Sequence, residues 1–485
     1  MTTPFFSPCL SKSNAKVVRH VLAVLVALWL LLSLTDLGLA QEGLLERAYY
    51  IVQEGDALWD IALRFGVPVE ELARINGLTD VGVLRVGAEL LIPGLEGFQG
   101  RLDTVRVSYG ETLRSLSRRY QVPMETLMRI NRVTSPNEIF AGSYLILPSE
   151  QVNVTSGGRA MLAPGQSSLE LALLRGINPW SLTAANALSA TWRALPGEVL
   201  QLPGEGQSGP GALPDKIQAI NLEPLPLIQG KTVVLKVSGQ AGLSLSASLA
   251  EQAFEFFPQE GGYVALQGIH AMTEPGFYPL RLKVTYPMEA PGEAAFIEFS
   301  QAVFIRSGDY PFDPPLSVSS ETLDPAVTGP EDELWQSLGL PATPEKMWQG
   351  LFESPVLPQL TNCWTSLFGS RRSYNGSPYL YFHSGLDFCG TIGTELYAPA
   401  AGKVVFAGPL TVRGNATVID HGWGVYSAYD HQSEIFVEGG DLVKQGQLIG
   451  LGGATGRVTG PHLHWEVWVG GVQVDPVDWL QRSFP

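Results

Sequence analysis

A repeat with a fixed period of 55 residues follows the N-terminal segment of this sequence. A glycine, an asparagine and a proline each recur at this spacing. They are Gly55, Gly110 and Gly165; Asn76, Asn131 and Asn186; and Pro93, Pro148 and Pro203. Self-similarity at a constant period indicates duplicated structural units. This part of the chain is therefore expected to contain three copies of one small module.

Each copy has the pattern of a strand, two helices and a second strand. In the first copy, a short strand at 50–52 precedes a glycine turn, and apolar residues then follow at helical spacing from Leu58 to Phe65. A Val-Pro break opens a second helix, which ends at Asn76, and a closing strand covers 90–92. The pattern predicts a β-α-α-β module of about 45 residues.

These units resemble LysM domains, which bind glycans that contain N-acetylglucosamine, such as peptidoglycan. The resemblance covers 49–94 and 103–149, while 158–204 keeps the skeleton but loses the alternation of the opening strand. It implies a shallow glycan-binding groove between two loops of the first module. The residues expected to line it are Gly55, Asp56, Ala57, Asn76, Leu78 and Leu84. The alternative is that these residues only form turns and caps.

The first 40 residues have the features of an export signal. Positive charges at Lys12, Lys16 and Arg19 precede an apolar run at 21–34, and small residues at 38–40 end it. A cleaved signal at 1–40 is the favoured interpretation, and an uncleaved membrane anchor is the alternative. The membrane is an expected partner only in the second case. Both place the rest of the chain outside the cytoplasm, in the cell envelope, the periplasm or the extracellular space.

The net charge bears on possible partners, and the cysteine, glycine and proline content bears on the fold. The net charge of −16 argues against nucleic acid as a partner. Cys363 and Cys389 remain after signal removal, and an oxidising compartment allows either a disulfide or two separate buried thiols. High counts of glycine (53) and proline (35) favour short strands and many turns.

The middle of the chain alternates at the period of β-strands. Short alternating runs separated by turns predict an all-β, immunoglobulin-like sandwich at 217–308, which would act as a spacer or positioning module. Its lone histidine, His270, is interpreted as structural. The Pro-rich segment 309–349 is predicted to be a linker with one helix at 331–338.

Four histidines and one aspartate form a constellation in the last domain. His462 and His464 lie one position apart in a strand-like stretch, so both side chains project to the same face. His383 and Asp387 are four residues apart and share a face in the same way. Two imidazoles and one carboxylate would leave a fourth position open, as in a catalytic zinc site. The alternative for an isolated His-x-His pair is two solvated histidines on a surface strand.

The sequences around these residues resemble the lysostaphin-type (LytM-like) zinc metallopeptidases over 350–482. The resemblance rests on TSLFGSRR, HSGLDF and GPHLHWEV. It implies a mainly antiparallel β domain, the duplicated hybrid motif, with one zinc ion at the floor of a groove. His383, Asp387 and His464 would bind the zinc, and His431 and His462 would be catalytic. The substrates of this family are peptides of bacterial peptidoglycan.

The resemblance has one departure and one added feature. Gln432 stands where the family usually has a leucine that packs a loop beside the catalytic histidine. A bridge from Cys363 to Cys389 would brace the strand that carries Asp387. His421 is interpreted as structural, because the zinc set is complete without it.

The sequence thus predicts a multidomain, exported zinc metalloendopeptidase. LysM modules would bind the glycan of peptidoglycan, and the last domain would hydrolyse its peptide bonds. Two non-enzymatic alternatives remain, namely an activator of another cell-wall hydrolase and a wall-anchoring scaffold. The sequence does not assign the general base to His431 or to His462.

Overall fold

The computed structural model describes residues 47–80, 82, 84–95, 97–149, 157–204, 209–287 and 294–485. The predicted export signal at 1–40 lies outside these residues. The described residues divide into two compact units. The first is built from residues up to Val105 with 125–132 and 144–149, and the second contains the remainder. In the described ranges, no helix combines the length and the apolar character needed to cross a bilayer.

Each repeat forms a strand, two helices and a second strand. The first contains β1 (Ala48–Ile51), α1 (Leu58–Phe65), α2 (Val69–Ile75) and β2 (Glu89–Leu91). The second contains β3 (Gly100–Arg106), α3 (Leu113–Tyr120), α4 (Met124–Ile130) and β4 (Tyr144–Pro148). The third contains β5 (Arg159–Met161), α5 (Ser168–Leu174), α6 (Pro179–Ala185) and β6 (Val199–Gln201). The order is the one that the 55-residue period predicts.

The recurring asparagine joins the second helix of each repeat to the closing strand. The Asn76 Nδ2 donates to the carbonyls of Leu72 at 2.8 Å and Leu91 at 2.9 Å. Its Oδ1 accepts the N–H of Leu91 at 2.7 Å. Asn131 and Asn186 make the same three bonds in their own repeats. Backbone groups at a helix end need such partners, which explains why this residue keeps its position in every copy.

Two β-sheets around one hydrophobic core follow the repeats. One sheet has the strand order β11-β10-β14-β15-β8 and the other β12-β13-β9-β7. The strands are β7 (Ile217–Glu223), β8 (Leu227–Ile228), β9 (Thr232–Gly239), β10 (Ser244–Leu249), β11 (Gln252–Phe254), β12 (Phe256–Gln259), β13 (Gly262–Gly268), β14 (Gly276–Pro287) and β15 (Ala294–Arg306). Apolar residues of both sheets form one cluster. The immunoglobulin-like assignment stays a prediction.

A long antiparallel sheet dominates the C-terminal region. Its order is β16-β19-β27-β23-β22-β21-β25, and β28 pairs with β27. The strands of this sheet are β16 (Trp364–Ser366), β19 (Leu386–Cys389), β21 (Gly402–Pro409), β22 (Asn415–Gly422), β23 (Val425–Gln432), β25 (Leu442–Val443), β27 (His462–Val469) and β28 (Val472–Val474). Two smaller sheets accompany it, one of β17 (Arg371–Arg372) and β18 (Tyr381–Phe382), and one of β20 (Glu395–Tyr397), β26 (Leu448–Leu451) and β24 (Glu434–Ile435). The described fold is mostly β with few helices, as predicted.

The helix predicted at 331–338 is longer in the structure. It is α7 (Pro325–Gly339), and the last helix of the chain is α8 (Pro476–Gln481). The Trp335 side chain of α7 is 1% exposed. It packs with Ala416, Val418, Tyr426, Ala428 and Trp468 of the long sheet. Helix α7 is therefore part of the packed C-terminal fold rather than a solvated connection.

The middle sheets also contact the C-terminal region directly. The ring of Phe257 stacks on that of Trp423 with 5.2 Å between centroids. The Trp479 Nε1 donates to the Thr232 Oγ1 at 3.0 Å. The two regions share one buried apolar cluster, so the middle sheets support the C-terminal sheet.

Candidate active site

The strand register of the long sheet brings distant polar residues onto one face. Strand β19 pairs with β27 so that Asp387 lies opposite His464. Strand β23 pairs with the other edge of β27, with Asp430 opposite His464. Directly paired residues project to the same face, and so do residues two apart on one strand. His462 therefore shares this face.

Three side chains converge within hydrogen-bonding distance of one another. The His383 Nε2 lies 2.9 Å from the Asp387 Oδ1 and 3.0 Å from the His464 Nδ1. The His464 Nδ1 is 2.8 Å from the same Asp387 oxygen. All three residues are buried. Two imidazole nitrogens and a carboxylate oxygen gathered in this way fit the donor set that Zn²⁺ prefers.

Protein oxygens engage the other ring nitrogen of each candidate ligand. The His383 Nδ1 is 2.9 Å from the Leu367 carbonyl oxygen. The His464 Nε2 is 3.1 Å from the Glu466 Oε1. A carbonyl or carboxylate oxygen fixes the ring N–H on the nitrogen that faces it. Burial lowers the pKa of His383, so its Nε2 is left with a lone pair toward Asp387, which is the form that binds a metal. Burial also lowers the pKa of His464, but hydrogen bonds to Asp387 and Glu466 outweigh this effect and raise the pKa to about 10. A metal at this position would therefore displace a proton from the His464 ring.

Glu466 is itself held by several donors. Its Oε1 accepts the Ser384 hydroxyl. Its Oε2 accepts the Trp468 Nε1 at 2.6 Å and the Trp335 Nε1 at 3.1 Å. This carboxylate therefore orients the His464 ring through contacts that reach helix α7. Its position two residues beyond His464 on a strand was a sequence signal that the motif analysis did not use.

His431 and His462 lie side by side next to the three candidate ligands. Their ring centroids are 5.0 Å apart, and the His462 Nε2 is 3.7 Å from the Asp387 Oδ1. The Nδ1 of His431 faces the Thr455 carbonyl and that of His462 faces the Gly460 carbonyl, both at 2.8 Å. Each ring therefore keeps its Nε2 as the available acceptor.

Burial sets the protonation state of His431, and the backbone conformation of this residue is unusual. Burial, together with the nearby His464 and His462, lowers the pKa of His431 to about 3. Its imidazole is neutral at pH 7 and able to accept a proton. His431 has a φ of 64°, in the left-handed region that non-glycine residues seldom adopt, at an irregularity in the β22–β23 register. Such backbone conformations concentrate at functional sites.

Helix α7 also anchors the loop that supports His431. The Glu331 carboxylate accepts the N–H groups of Thr411, Val412 and Arg413 at 2.7 to 3.2 Å. The Arg413 carbonyl in turn accepts the His431 N–H at 2.8 Å. Sequence reasoning missed Glu331 and Trp335, because their partners lie about 80 and 130 residues further along the chain.

A cavity of 1030 Å³ opens over these residues. Its lining includes Asp387, His431, His462 and His464 together with Asp430. Other parts of the lining come from the segment 313–318, from α7 and from the loop 457–459. Two of the three candidate metal ligands, Asp387 and His464, thus line one groove with the two further histidines, and this groove is large enough for a peptide.

The other residues singled out in the sequence have different surroundings. The sulfurs of Cys363 and Cys389 form a disulfide beside Asp387. Buried His421 contacts the Ala401 carbonyl and the Ser427 hydroxyl, both at 2.8 Å, away from the groove lining. The His270 Nδ1 accepts the N–H of Met272 at 3.2 Å. Buried Gln432 donates to the Thr417 hydroxyl at 2.8 Å, so hydrogen bonding replaces leucine packing at this point of the loop.

The six residues predicted to line a glycan groove are mostly engaged within the first repeat. Asp56 accepts from Tyr50, Gln53 and Arg64, and Asn76 makes the three bonds described above. Leu78 and Leu84 pack partly buried against the core of this repeat. Gly55 has a φ of 85° in the turn before α1, and Ala57 is the residue at the N-cap of that helix. Their glycan binding stays a prediction.

The sequence matches two family models. The model described as "Peptidase family M23" matches residues 381–476, and that described as "LysM domain" matches residues 50–93 and 105–148. The chain therefore carries an M23 (LytM-type) peptidase domain and two LysM domains. The M23 match contains all five residues predicted to bind metal or to act in catalysis.

Curated proteins are similar to part of this chain. The peptidoglycan DD-endopeptidase ShyB of Vibrio cholerae is 40% identical over 121 residues, which are 25% of this chain and 28% of that protein. The DD-carboxypeptidase/endopeptidase Mpg of Neisseria meningitidis is 40% identical over 107 residues, 21% of this chain and 25% of that protein. The chain thus matches only about a quarter of the length of these relatives.

A crystal structure of a putative peptidase M23 from Pseudomonas aeruginosa also resembles this fold. It is 28% identical, with a TM-score of 0.39, and the similarity covers 54% of this chain and 96% of that one.

Proposed function

We propose that this chain is an exported zinc metalloendopeptidase that hydrolyses peptide bonds of bacterial peptidoglycan. The observation that carries the proposal is the convergence of His383, Asp387 and His464 within 2.8 to 3.0 Å of one another, beside a second pair of histidines. The M23 match and the DD-endopeptidase names of the relatives support the same reaction class.

His383, Asp387 and His464 are the residues that would hold one zinc ion. When bound, zinc lowers the pKa of water and polarises a carbonyl group. Burial opposes ionisation of Asp387, but His383 and His464 hold the pKa of its carboxyl well below the ordinary value. At neutral pH the Asp387 carboxylate is ionised and the His383 ring is neutral, and zinc binding would displace one proton from His464, whose pKa is raised to about 10.

His431 and His462 are the residues proposed to act on the substrate. Each has its Nδ1–H committed to a carbonyl oxygen, so each Nε2 can accept the proton of the attacking water. Once protonated, such a histidine can stabilise the developing oxyanion or return the proton to the leaving amine. The pair sits next to the ligands, so proton transfer and metal binding occur in one groove.

The LysM domains are proposed to hold the enzyme on its substrate. Binding to the glycan strands of peptidoglycan would raise the local concentration of stem or bridge peptides at the groove. This function places the protein in the cell envelope or outside the cell. Glycan binding is proposed for the first two repeats, which match the LysM model, and the residues proposed to line a groove belong to the first.

Metal analysis and hydrolysis assays of variants test this proposal. The wild-type chain is expected to bind about one zinc per chain and to release peptides from purified peptidoglycan. His462→Ala should abolish release while retaining zinc, because this residue is not among the three proposed ligands. His383→Ala should lose both bound zinc and peptide release. Full activity of a metal-free His383→Ala chain would contradict the proposal.

The same assays distinguish the non-enzymatic alternatives. A scaffold or activator would bind peptidoglycan without releasing soluble peptides, even when loaded with zinc. Mass spectrometry of the released fragments would identify the bond that is cut.

A further inference from the structure

An arginine without an acidic partner lies in a loop at the side of the groove. Three arginines line the cavity, namely Arg372, Arg413 and Arg457. Arg413 forms ion pairs with two acidic residues of α7, at 3.0 and 3.1 Å. Arg372 lies 3.6 Å from Asp313 and 3.7 Å from Asp387. Arg457 forms no ion pair with a carboxylate of the described residues, so its positive charge is the unpaired one of the three.

The backbone of Arg457 is fixed beside the proposed catalytic His431. The Arg457 N–H donates to the Val412 carbonyl at 2.8 Å. Two residues earlier in the same loop, the Thr455 carbonyl oxygen lies 2.8 Å from the His431 Nδ1. A ligand group bound at Arg457 is therefore held at a defined place relative to a residue that is proposed to act on the peptide.

Two contacts orient the guanidinium and leave one of its edges open. Its Cζ lies 4.7 Å from the centroid of the Tyr374 ring, and its Nη1 donates to the Thr322 carbonyl at 3.0 Å. The Nε and Nη2 atoms have no hydrogen-bond partner among the described residues, and neither is fully buried. The side chain is half-buried and lines the cavity, so this edge is accessible from the groove.

An open guanidinium edge of this kind matches a carboxylate. Its two N–H groups are parallel and can donate to both oxygens of one carboxylate. The ring of Tyr374 and the carbonyl of Thr322 already order the long side chain, so less conformational entropy is lost when a ligand binds. The whole chain has a net charge of −16, so an anionic ligand needs a local cation to hold it.

We propose that Arg457 forms a subsite for a carboxylate of the peptide substrate. This inference rests on the proposed function, because the carboxylate belongs to the peptide whose bond is cut in the same groove. The Nε–H and Nη2–H groups donate to the two carboxylate oxygens, and the carboxylate supplies the negative charge that this arginine lacks. Peptides with free carboxylates are therefore cut in preference to those whose carboxyl groups are amidated.

A purely structural role for Arg457 would use only part of this arrangement. Bracing the loop against Tyr374 and Thr322 requires the face of the guanidinium and its Nη1, but not the edge formed by Nε and Nη2. The two roles also differ in their effect on substrates. Loss of a brace would affect all peptides alike, whereas loss of a carboxylate subsite would affect only those with a free carboxylate.

The test compares two cross-linked peptides that differ only in amidation of their free carboxyl groups. For the zinc-loaded wild-type chain at pH 7, kcat/KM is expected to be at least about tenfold higher for the free carboxylates. Arg457→Gln should bring this ratio close to one, mainly by raising KM for the peptide with free carboxylates. Arg457→Lys keeps the charge but loses the paired N–H groups, so it should retain part of the preference. Lys444→Gln removes a positive charge at an exposed site outside the groove lining and should keep the wild-type ratio.

Equal kcat/KM of the wild type for the two peptides would overturn the subsite, and this comparison requires no variant to fold. Retention of the wild-type ratio by Arg457→Gln would overturn it as well, whether or not both activities fall, since a brace alone behaves in this way. If the wild type cuts neither peptide, the proposed function fails. The subsite is then decided by calorimetric binding of both peptides to the zinc-loaded chain, where tighter binding of the free carboxylates supports it and equal affinity contradicts it.

Discussion

At the scale of single residues, the position of the ring separates two buried histidines of the C-terminal domain into different roles. His421 is fully buried away from the groove, between a carbonyl and a hydroxyl. His431 is also buried, but its ring lines the groove and keeps one nitrogen available. The same physical effect, desolvation of the charged form, keeps both imidazoles neutral at pH 7. The position of the ring therefore determines whether the neutral imidazole packs inside the domain or can take part in proton transfer in the groove.

His421 is expected to make the stability of the fold depend on pH. Burial lowers its pKa to about 4, whereas a histidine in the unfolded chain takes up a proton near pH 6.5. Between these values the unfolded chain binds more protons, so the free energy of unfolding falls as the pH falls. The contribution is complete above about pH 6.5, and the loss by pH 4 is up to about 3 kcal/mol.

Denaturant unfolding between pH 7 and pH 4, with a chelator present, measures this effect. His421→Gln removes the titrating group and should flatten the pH dependence relative to the wild type. Glu395→Gln is the control and should follow the wild-type curve. An unchanged slope in His421→Gln would show that this histidine does not contribute.

At the scale of elements, helix α7 links the packing of the sheet to the geometry of the groove. Its Trp335 bonds the carboxylate that orients His464, and its Glu331 binds the loop that supports His431. A sequence segment rich in proline was expected to be a linker. In the structure it holds one proposed ligand and one proposed catalytic residue in position.

Loss of the Glu331 carboxylate is expected to destabilise the C-terminal domain. Glu331→Ala leaves three backbone N–H groups and part of the Arg413 guanidinium without their acceptor, which costs about 3 kcal/mol of unfolding free energy. Glu333→Ala, at an exposed site on the same helix, should change it by less than about 0.5 kcal/mol. Chemical denaturation of both variants measures the difference, and equal stabilities would refute the anchoring role.

At the scale of the whole molecule, the candidate metal site exists only in the folded chain. His383 and Asp387 lie about 80 residues before His464, and β19 and β27 bring them together. An unfolded chain cannot hold these three atoms within 3 Å of one another. Metal binding should therefore stabilise the fold by mass action.

Zinc is expected to raise the free energy of unfolding by about 4 kcal/mol when its free concentration is 1,000 times the dissociation constant. Differential scanning calorimetry with and without zinc measures the shift of the C-terminal transition. His383→Ala should lose most of the shift because one of three ligands is missing. An equal shift in this variant would mean that zinc binds elsewhere.

Periodicity in the sequence determined a large part of this architecture. The 55-residue period predicted three β-α-α-β units, and strand alternation placed His462 and His464 on one face. These features depend on backbone geometry that acts over a few residues, so they can be read without knowing what packs against them. The five residues proposed for metal binding and catalysis were likewise recognisable from spacing and resemblance.

Only the tertiary structure decided how those residues are held. The orientations of the histidine rings follow from contacts with Leu367, Glu466, Thr455 and Gly460, and the α7 contacts join residues up to about 130 positions apart. Such long-range contacts depend on which strands pair and in which register, and local periodicity does not specify that choice.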